Sequence, residues 1–126
     1  MTEKSKYRET KLYHLVFSEL ITAARYRGTV TYQEIAKIMG LPLSGNYMGR
    51  EIGEIIGEIS EDEVKQGRPM LSAIVVGVNG KPGAGFFIWA KELYGVSDDD
   101  EFDEETFWKE ECSKVYETWK VDLTEK

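Results

Sequence analysis

Apolar residues between Glu9 and Tyr26 fall at helical spacing, with Leu12, Val16, Leu20 and Ala23 along one side. That period places them on one face of an amphipathic helix that Gly28 ends, and leaves His14 off the face, toward solvent. Thr31-Tyr32-Gln33-Glu34 then reads as a capping box, in which the threonine side chain accepts from the third helical amide and the glutamate reaches back. The short helix it opens turns Ile35, Ala36 and Met39 inward and stops at Gly40 and Pro42. After a turn over Leu43 to Asn46, a further helix carries Met48, Ile52, Ile55, Ile56 and Ile59 on its buried side, with Gly49, Gly53 and Gly57 recurring every fourth residue. Glycine costs about 1 kcal/mol inside a helix, so this ladder implies that another backbone comes close enough to offset it. Ser60-Glu61-Asp62-Glu63 predicts a second capping box that starts one separate short turn.

Gly67-Arg68-Pro69 breaks the chain, and the β-branched, apolar run Met70 to Val78 (MLSAIVVGV) predicts a buried strand. Asn79-Gly80 signals a tight turn, and Lys81 to Gly85 is too rich in Pro and Gly to be regular. Phe86 to Tyr94 reads as a helix with Phe86, Phe87, Ala90 and Leu93 toward the core. Asp98 to Glu105 holds seven acids in eight residues, and behind it Trp108, Cys112, Val115 and Trp119 stripe a last helix that ends near Val121. The expected fold is therefore α+β and mostly helical: a helix-turn-helix followed by a small β element, the outline of a winged helix. Residues 1–96 would form that domain, and 97–126 an acidic segment with an added amphipathic helix.

Charge complicates the outline. The 126 residues hold 16 Lys+Arg and 23 Asp+Glu, a net of -7, and the charge is segregated: residues 1–50 carry +4, 51–100 carry -6 and 101–126 carry -5. Only the first third suits a polyanion. One cysteine, Cys112, and one histidine, His14, exclude an internal disulfide framework and a Cys/His zinc cage. The charged start, MTEKSKYRETK, lacks an apolar signal region, and Ala73 to Val78 is too short to cross a membrane, so a soluble cytoplasmic protein in a reducing compartment is expected.

TYQEIAKIMGLP, NYMGREIG, RPMLSAIVV, NGKPGAG and KELYG together resemble the C-terminal domain of alkylguanine-DNA alkyltransferases and the non-catalytic alkyltransferase-like proteins. The resemblance spans roughly Thr29 to Gly95. Thr31-Tyr32 and Gly40-Leu41-Pro42 match well, Asn46-Tyr47-Met48-Gly49 in part, and Pro69 to Ala73 only at its proline. In this register the family's alkyl-accepting cysteine falls at Met70, and its His and Arg at Leu71 and Ser72. A thioether cannot serve as the thiolate nucleophile, so alkyl transfer is excluded. The arginine that replaces the extruded base falls at Asn46, and Ser60 to Arg68 reads as an insertion. The resemblance implies minor-groove binding of double-stranded DNA with nucleotide extrusion: Tyr32 and Asn46 on the nucleotide, Tyr47 and Arg50 on the groove or backbone, and Lys37 on phosphate. Because affinity for duplex rests on cations displacing counterions, binding would be weak or lesion-dependent.

Other residues keep alternatives open. Tyr32 is also an ordinary core or cap residue. Arg68 and Ser72, with Gly83 and Gly85 of the Gly80 to Gly85 loop, could form a small anion pocket, or Arg68 could pin a carboxylate. The loop lacks the Gly-Lys-Ser/Thr ending of a P-loop. The run from Asp98 has Phe102 and Asp103 where an EF-hand needs a ligand and a glycine. Its acids, Asp98, Asp99 and Asp100 among them, could be a solvated spacer or a phosphate-mimicking surface. Trp108 and Trp119 could dock the last helix or anchor a protein partner. No metal motif, nucleophile elbow or acid/base pair stands out, so neither enzyme activity nor a cofactor is expected. The competing function is an acidic protein-interaction module on the same fold that binds or inhibits a nucleic-acid enzyme, of the kind found in bacterial or phage defence.

Overall fold

The structure, a computed structural model, describes residues 5–121. The first four residues of the charged start and residues 122–126 of the expected C-terminal segment lie outside the described residues. The described chain is mostly helical, with one small parallel sheet.

Thr10 caps α1 (Lys11–Arg25) by accepting from Tyr13 N–H, and the helix buries Val16, Leu20 and Ala24. Arg27, with a left-handed φ of 60°, makes the turn that was expected of Gly28. After β1 (Val30–Thr31), both halves of the expected capping box are present at α2 (Tyr32–Met39). Thr31 N–H donates to Glu34 Oε1 at 2.8 Å, and Glu34 N–H to Thr31 Oγ1 at 3.1 Å. Gly40, in the left-handed region, closes α2.

α3 (Asn46–Lys65) is one continuous helix of 20 residues. The expected second capping box at Ser60 does not form, because the Ser60 hydroxyl leaves the helix to bond Ser72 and Glu63 turns to Arg68. The segment Ser60 to Arg68 comprises the end of α3, to Lys65, and its exit. Ile52, Ile55, Ile56 and Ile59 are buried, and each such side chain contributes about 1.5–3 kcal/mol.

The expected strand over Met70 to Val78 is corrected. Leu71–Ile74 is a 3-10 turn, and only Val75–Val76 is extended, as β2, in parallel register with β1 (Val30 opposite Val75, Thr31 opposite Val76). Side chains take the backbone groups a ladder would use. Glu111 accepts from Met70 N–H at 2.9 Å, Ser60 accepts from Ser72 N–H at 3.0 Å, and the Ala73 carbonyl accepts from Trp108 Nε1 at 2.8 Å and Cys112 Sγ at 3.3 Å. Apolar composition reported burial here, not extended geometry.

Asn79-Gly80 does turn, with Gly80 N–H on the Gly77 carbonyl at 2.9 Å, but among the described residues no further strand follows it. α4 (Ala84–Tyr94) begins two residues earlier than expected and buries Phe86 and Ala90. α5 (Glu104–Trp119) packs on α1 and on the 3-10 turn. Its Tyr116 hydroxyl donates to the Gly28 carbonyl at 2.9 Å, so the residues after 97 complete the core of the residues before it.

Candidate functional site

The residues expected to meet DNA lie on α2 (Tyr32, Lys37) and on the first turns of α3 (Asn46, Tyr47, Arg50). Lys37, Asn46 and Arg50 are exposed and Tyr47 is half-exposed. The Arg50 guanidinium lies 5.4 Å from the Tyr47 ring centre, and its Nε lies 3.6 Å from Glu51 Oε2, so part of its charge is already countered. Tyr32 is only partly accessible; its hydroxyl accepts from Gly83 N–H at 2.9 Å and ties α2 to the loop before α4.

The acids of α3, which speak against a polyanion in the sequence, are largely occupied. Residues 6–8 lie along them. Lys6 and Tyr7 donate both backbone N–H groups to the Glu58 carboxylate at 2.8 and 3.0 Å. Lys6 Nζ sits 2.7 Å from Glu51, and Tyr7 OH also donates to Glu51. Arg8 reaches Asp62 at 2.9 Å and Glu61 at 2.7 Å, and Tyr13 OH donates to Asp62. Hydrogen bonds from Lys6 and then Tyr7 hold the Glu51 carboxyl below its ordinary range. Burial pushes Asp62 up, but the bonds from Arg8 and Tyr13 outweigh it and leave it lowered. Nothing in the sequence pattern pointed to this strap, which joins residues about fifty positions apart.

Between α3 and α4, beside the start of α3, lies a cavity of about 310 Å³. Tyr32, Met48, Ile56, Phe86 and Trp89 make its apolar wall, and Gly49, Gly53, Gly83 and Gly85 leave stretches of bare backbone. The glycine ladder therefore does other work than expected. A Cβ at Gly57 would lie 2.5 Å from Trp89 Cε2, so an indole, not another backbone, makes the close approach there. At Gly49 and Gly53 a Cβ would meet nothing within 4 Å; these two glycines keep the cavity open. The repeat was legible in sequence. That two of its members face space was not.

The proposed anion pocket does not come together. Ser72, Gly83 and Gly85 line the cavity, while Arg68 lies in a separate depression with Val64, Pro69 and Lys114. There it pins the buried Glu63 carboxylate with two parallel bonds of 2.9 Å and stands over the Trp119 ring at 5.6 Å. Met70, the expected counterpart of the alkyl-accepting cysteine, is fully buried and off the cavity wall; Ser72 is on it.

Trp108 docks α5 through its bond to Ala73, and Trp119 is partly buried against the core. Cys112 sits beside Trp108, with its thiol pushed up to about 11 by burial and then by Glu111, which makes it a poor nucleophile. Glu111, missed in sequence, is 1% exposed and accepts from Met70 N–H and the Tyr94 hydroxyl. Asp98, Asp99 and Asp100 are exposed, with Asp100 folding back onto Ser97 N–H at 2.8 Å. His14 is exposed. Among the described residues, no group of three or more His, Cys, Asp or Glu is arranged to hold a metal ion, and no helix is long and apolar enough to cross a membrane.

Comparison with family models, curated proteins and solved structures finds no match for this chain.

Proposed function

We propose that this chain is a non-catalytic, alkyltransferase-like winged-helix protein that binds duplex DNA and holds an extruded, modified base. The observation that carries the reading is the cavity. It opens beside the exposed start of α3, is walled by Tyr32 of α2 and Met48 of α3, and its volume of about 310 Å³ suits one ring system at the lower end of ligand-pocket sizes. Apolar walls and bare glycine backbone favour a flat, uncharged ring over a phosphate. In this reading the exposed side chains of Tyr47 and Arg50 contact the groove, Asn46 reaches the opened base pair and Lys37 meets phosphate.

Chemistry beyond binding has little support. The sole thiol is on α5, protonated and bonded to Ala73, and the Ser72 hydroxyl on the cavity wall is bonded to Ser60, not to a base that could activate it. The protein would recognise a lesion without repairing it.

Fluorescence anisotropy with short duplexes, intact or carrying an alkylated or mismatched base, tests this over a salt series. Saturable binding that prefers the modified duplex and weakens on Tyr32→Ala is expected. With two cations on the face, Lys37 and Arg50, the slope of log K against log salt should be about -2, falling by about 1 on Arg50→Ala. No binding even at low salt would overturn the reading. It would favour instead an acidic module that binds a protein through the exposed run around Asp98 to Asp100.

A further inference from the structure

One buried polar pair reaches the cavity: Ser72 on its wall and Ser60 behind it, which are 3% and 0% exposed. Ser60 lies on α3 and Ser72 in the 3-10 turn. Ser60 Oγ accepts from Ser72 N–H at 3.0 Å and donates its only proton to Ser72 Oγ at 2.8 Å. The two hydroxyls share one bond, so one proton of the pair is left over, and it costs least on Ser72, the residue that faces the cavity, because Ser60 is fully buried. The other polar side chains of the wall, Tyr32 and Trp89, also end in O–H and N–H, and among the described residues no side-chain carboxylate, amide or amine lines it. A buried donor without a partner is costly, and a ligand that supplies the acceptor relieves that cost while one that does not leaves it standing.

We propose that Ser72, oriented by Ser60, is the recognition donor of this cavity, and that the ligand is a flat, uncharged heteroaromatic ring presenting a hydrogen-bond acceptor to it. The inference uses the cavity of the reading above but not its duplex. The same ring chemistry could arrive as a free heterocycle or as a base extruded from DNA, and the experiment separates the two.

The probes are 1-methylbenzimidazole and 1-methylindole, which share shape and differ by one ring nitrogen acceptor. Each is titrated into the isotopically labelled full chain, and affinity is read from amide shifts around Gly53, Ser72 and Gly85. The acceptor-bearing ring should bind about five- to tenfold tighter, the effect of one ordinary hydrogen bond. Ser72→Ala should remove that preference and leave 1-methylindole unchanged. It should fold, because residue 72 N–H keeps Ser60 as acceptor and the freed Ser60 hydroxyl can turn to the Ile56 carbonyl one helical turn back. Gly53→Leu, which fills the cavity, should abolish binding of both rings and serves as the second variant. Equal affinity for the two rings, a preference that survives Ser72→Ala, or no binding of either ring would overturn the proposal.

The duplex arm repeats the variants with modified and intact DNA. If Gly53→Leu and Ser72→Ala both erase a preference for the modified duplex, the ring comes from DNA. If the rings bind as expected but duplex binding is absent or ignores both variants, the DNA reading fails and the cavity inference stands. If Gly53→Leu erases duplex preference and Ser72→Ala does not, the DNA reading stands and the role of Ser72 fails.

Discussion

Replacing Gly53 with alanine should make this protein more stable and less able to bind. Inside a helix, glycine costs about 1 kcal/mol relative to alanine, mainly through backbone entropy. The gain is usually offset by crowding, but at Gly53 an added Cβ meets no atom within 4 Å. The full gain of roughly 0.5–1 kcal/mol should therefore appear, raising Tm by about 2–5 °C for a chain of this size. Gly57, one turn further along the same helix, is the internal control. Its Cβ would stand 2.5 to 2.8 Å from three atoms of the Trp89 indole. Overpacking of this kind costs about 1–3 kcal/mol, which cancels or exceeds the helix gain. Thermal unfolding followed by circular dichroism should thus rank Gly53→Ala above wild type and Gly57→Ala at or below it. Ring or duplex titrations of Gly53→Ala and Gly53→Leu should show affinity falling as stability holds or rises. If Gly57→Ala is as stable as Gly53→Ala, the indole does not hold the ladder. If Gly53→Leu binds like wild type, the cavity is not the site.

Other consequences follow from the buried polar groups. The carboxylates of the strap, Glu51 and Asp62, are held below their ordinary values of 4.5 and 3.8. Groups depressed in the folded state stabilise it above their unfolded values and lose that contribution as pH falls through the folded ones. Arg8→Ala should therefore destabilise by roughly 1 kcal/mol at pH 7, after allowance for partial exposure. Its deficit against wild type should fade below about pH 4 in urea unfolding series; a deficit unchanged at pH 3 would refute a role through Asp62. Glu111→Ala strands Met70 N–H and the Tyr94 hydroxyl, and should cost roughly 2–4 kcal/mol and loosen α5, visible as faster hydrogen exchange at residues 70 to 73. Unaltered exchange there would mean that Trp108 and Tyr116 alone hold the helix.

Local chemistry was legible in the sequence where the partners of a residue are near it in the chain. Thr31 and Glu34 close a capping box because both halves sit within one helical turn, and Gly40 ends α2 because few other residues adopt its φ. The isoleucines of α3 and the stripe of α5 declare which face is buried. Tertiary contacts decided the rest. Met70 to Ile74 looks like a strand, yet Glu111, Ser60 and Trp108, from 12 to 41 positions away, take its backbone groups. Ser60 looks like a cap, yet α3 passes through it, because the buried partner is Ser72. Arg68 and Ser72 are near neighbours in sequence and part company in space, since one faces Glu63 and the other the cavity. The same holds for the acids of α3: composition counts them as free charge, while the fold lays Lys6, Tyr7 and Arg8 over them. Periodicity and caps encode which residues are buried and where helices begin. Which groups satisfy the buried polar atoms, and where space is left unfilled beside Gly49 and Gly53, depends on elements far apart in the chain meeting in three dimensions.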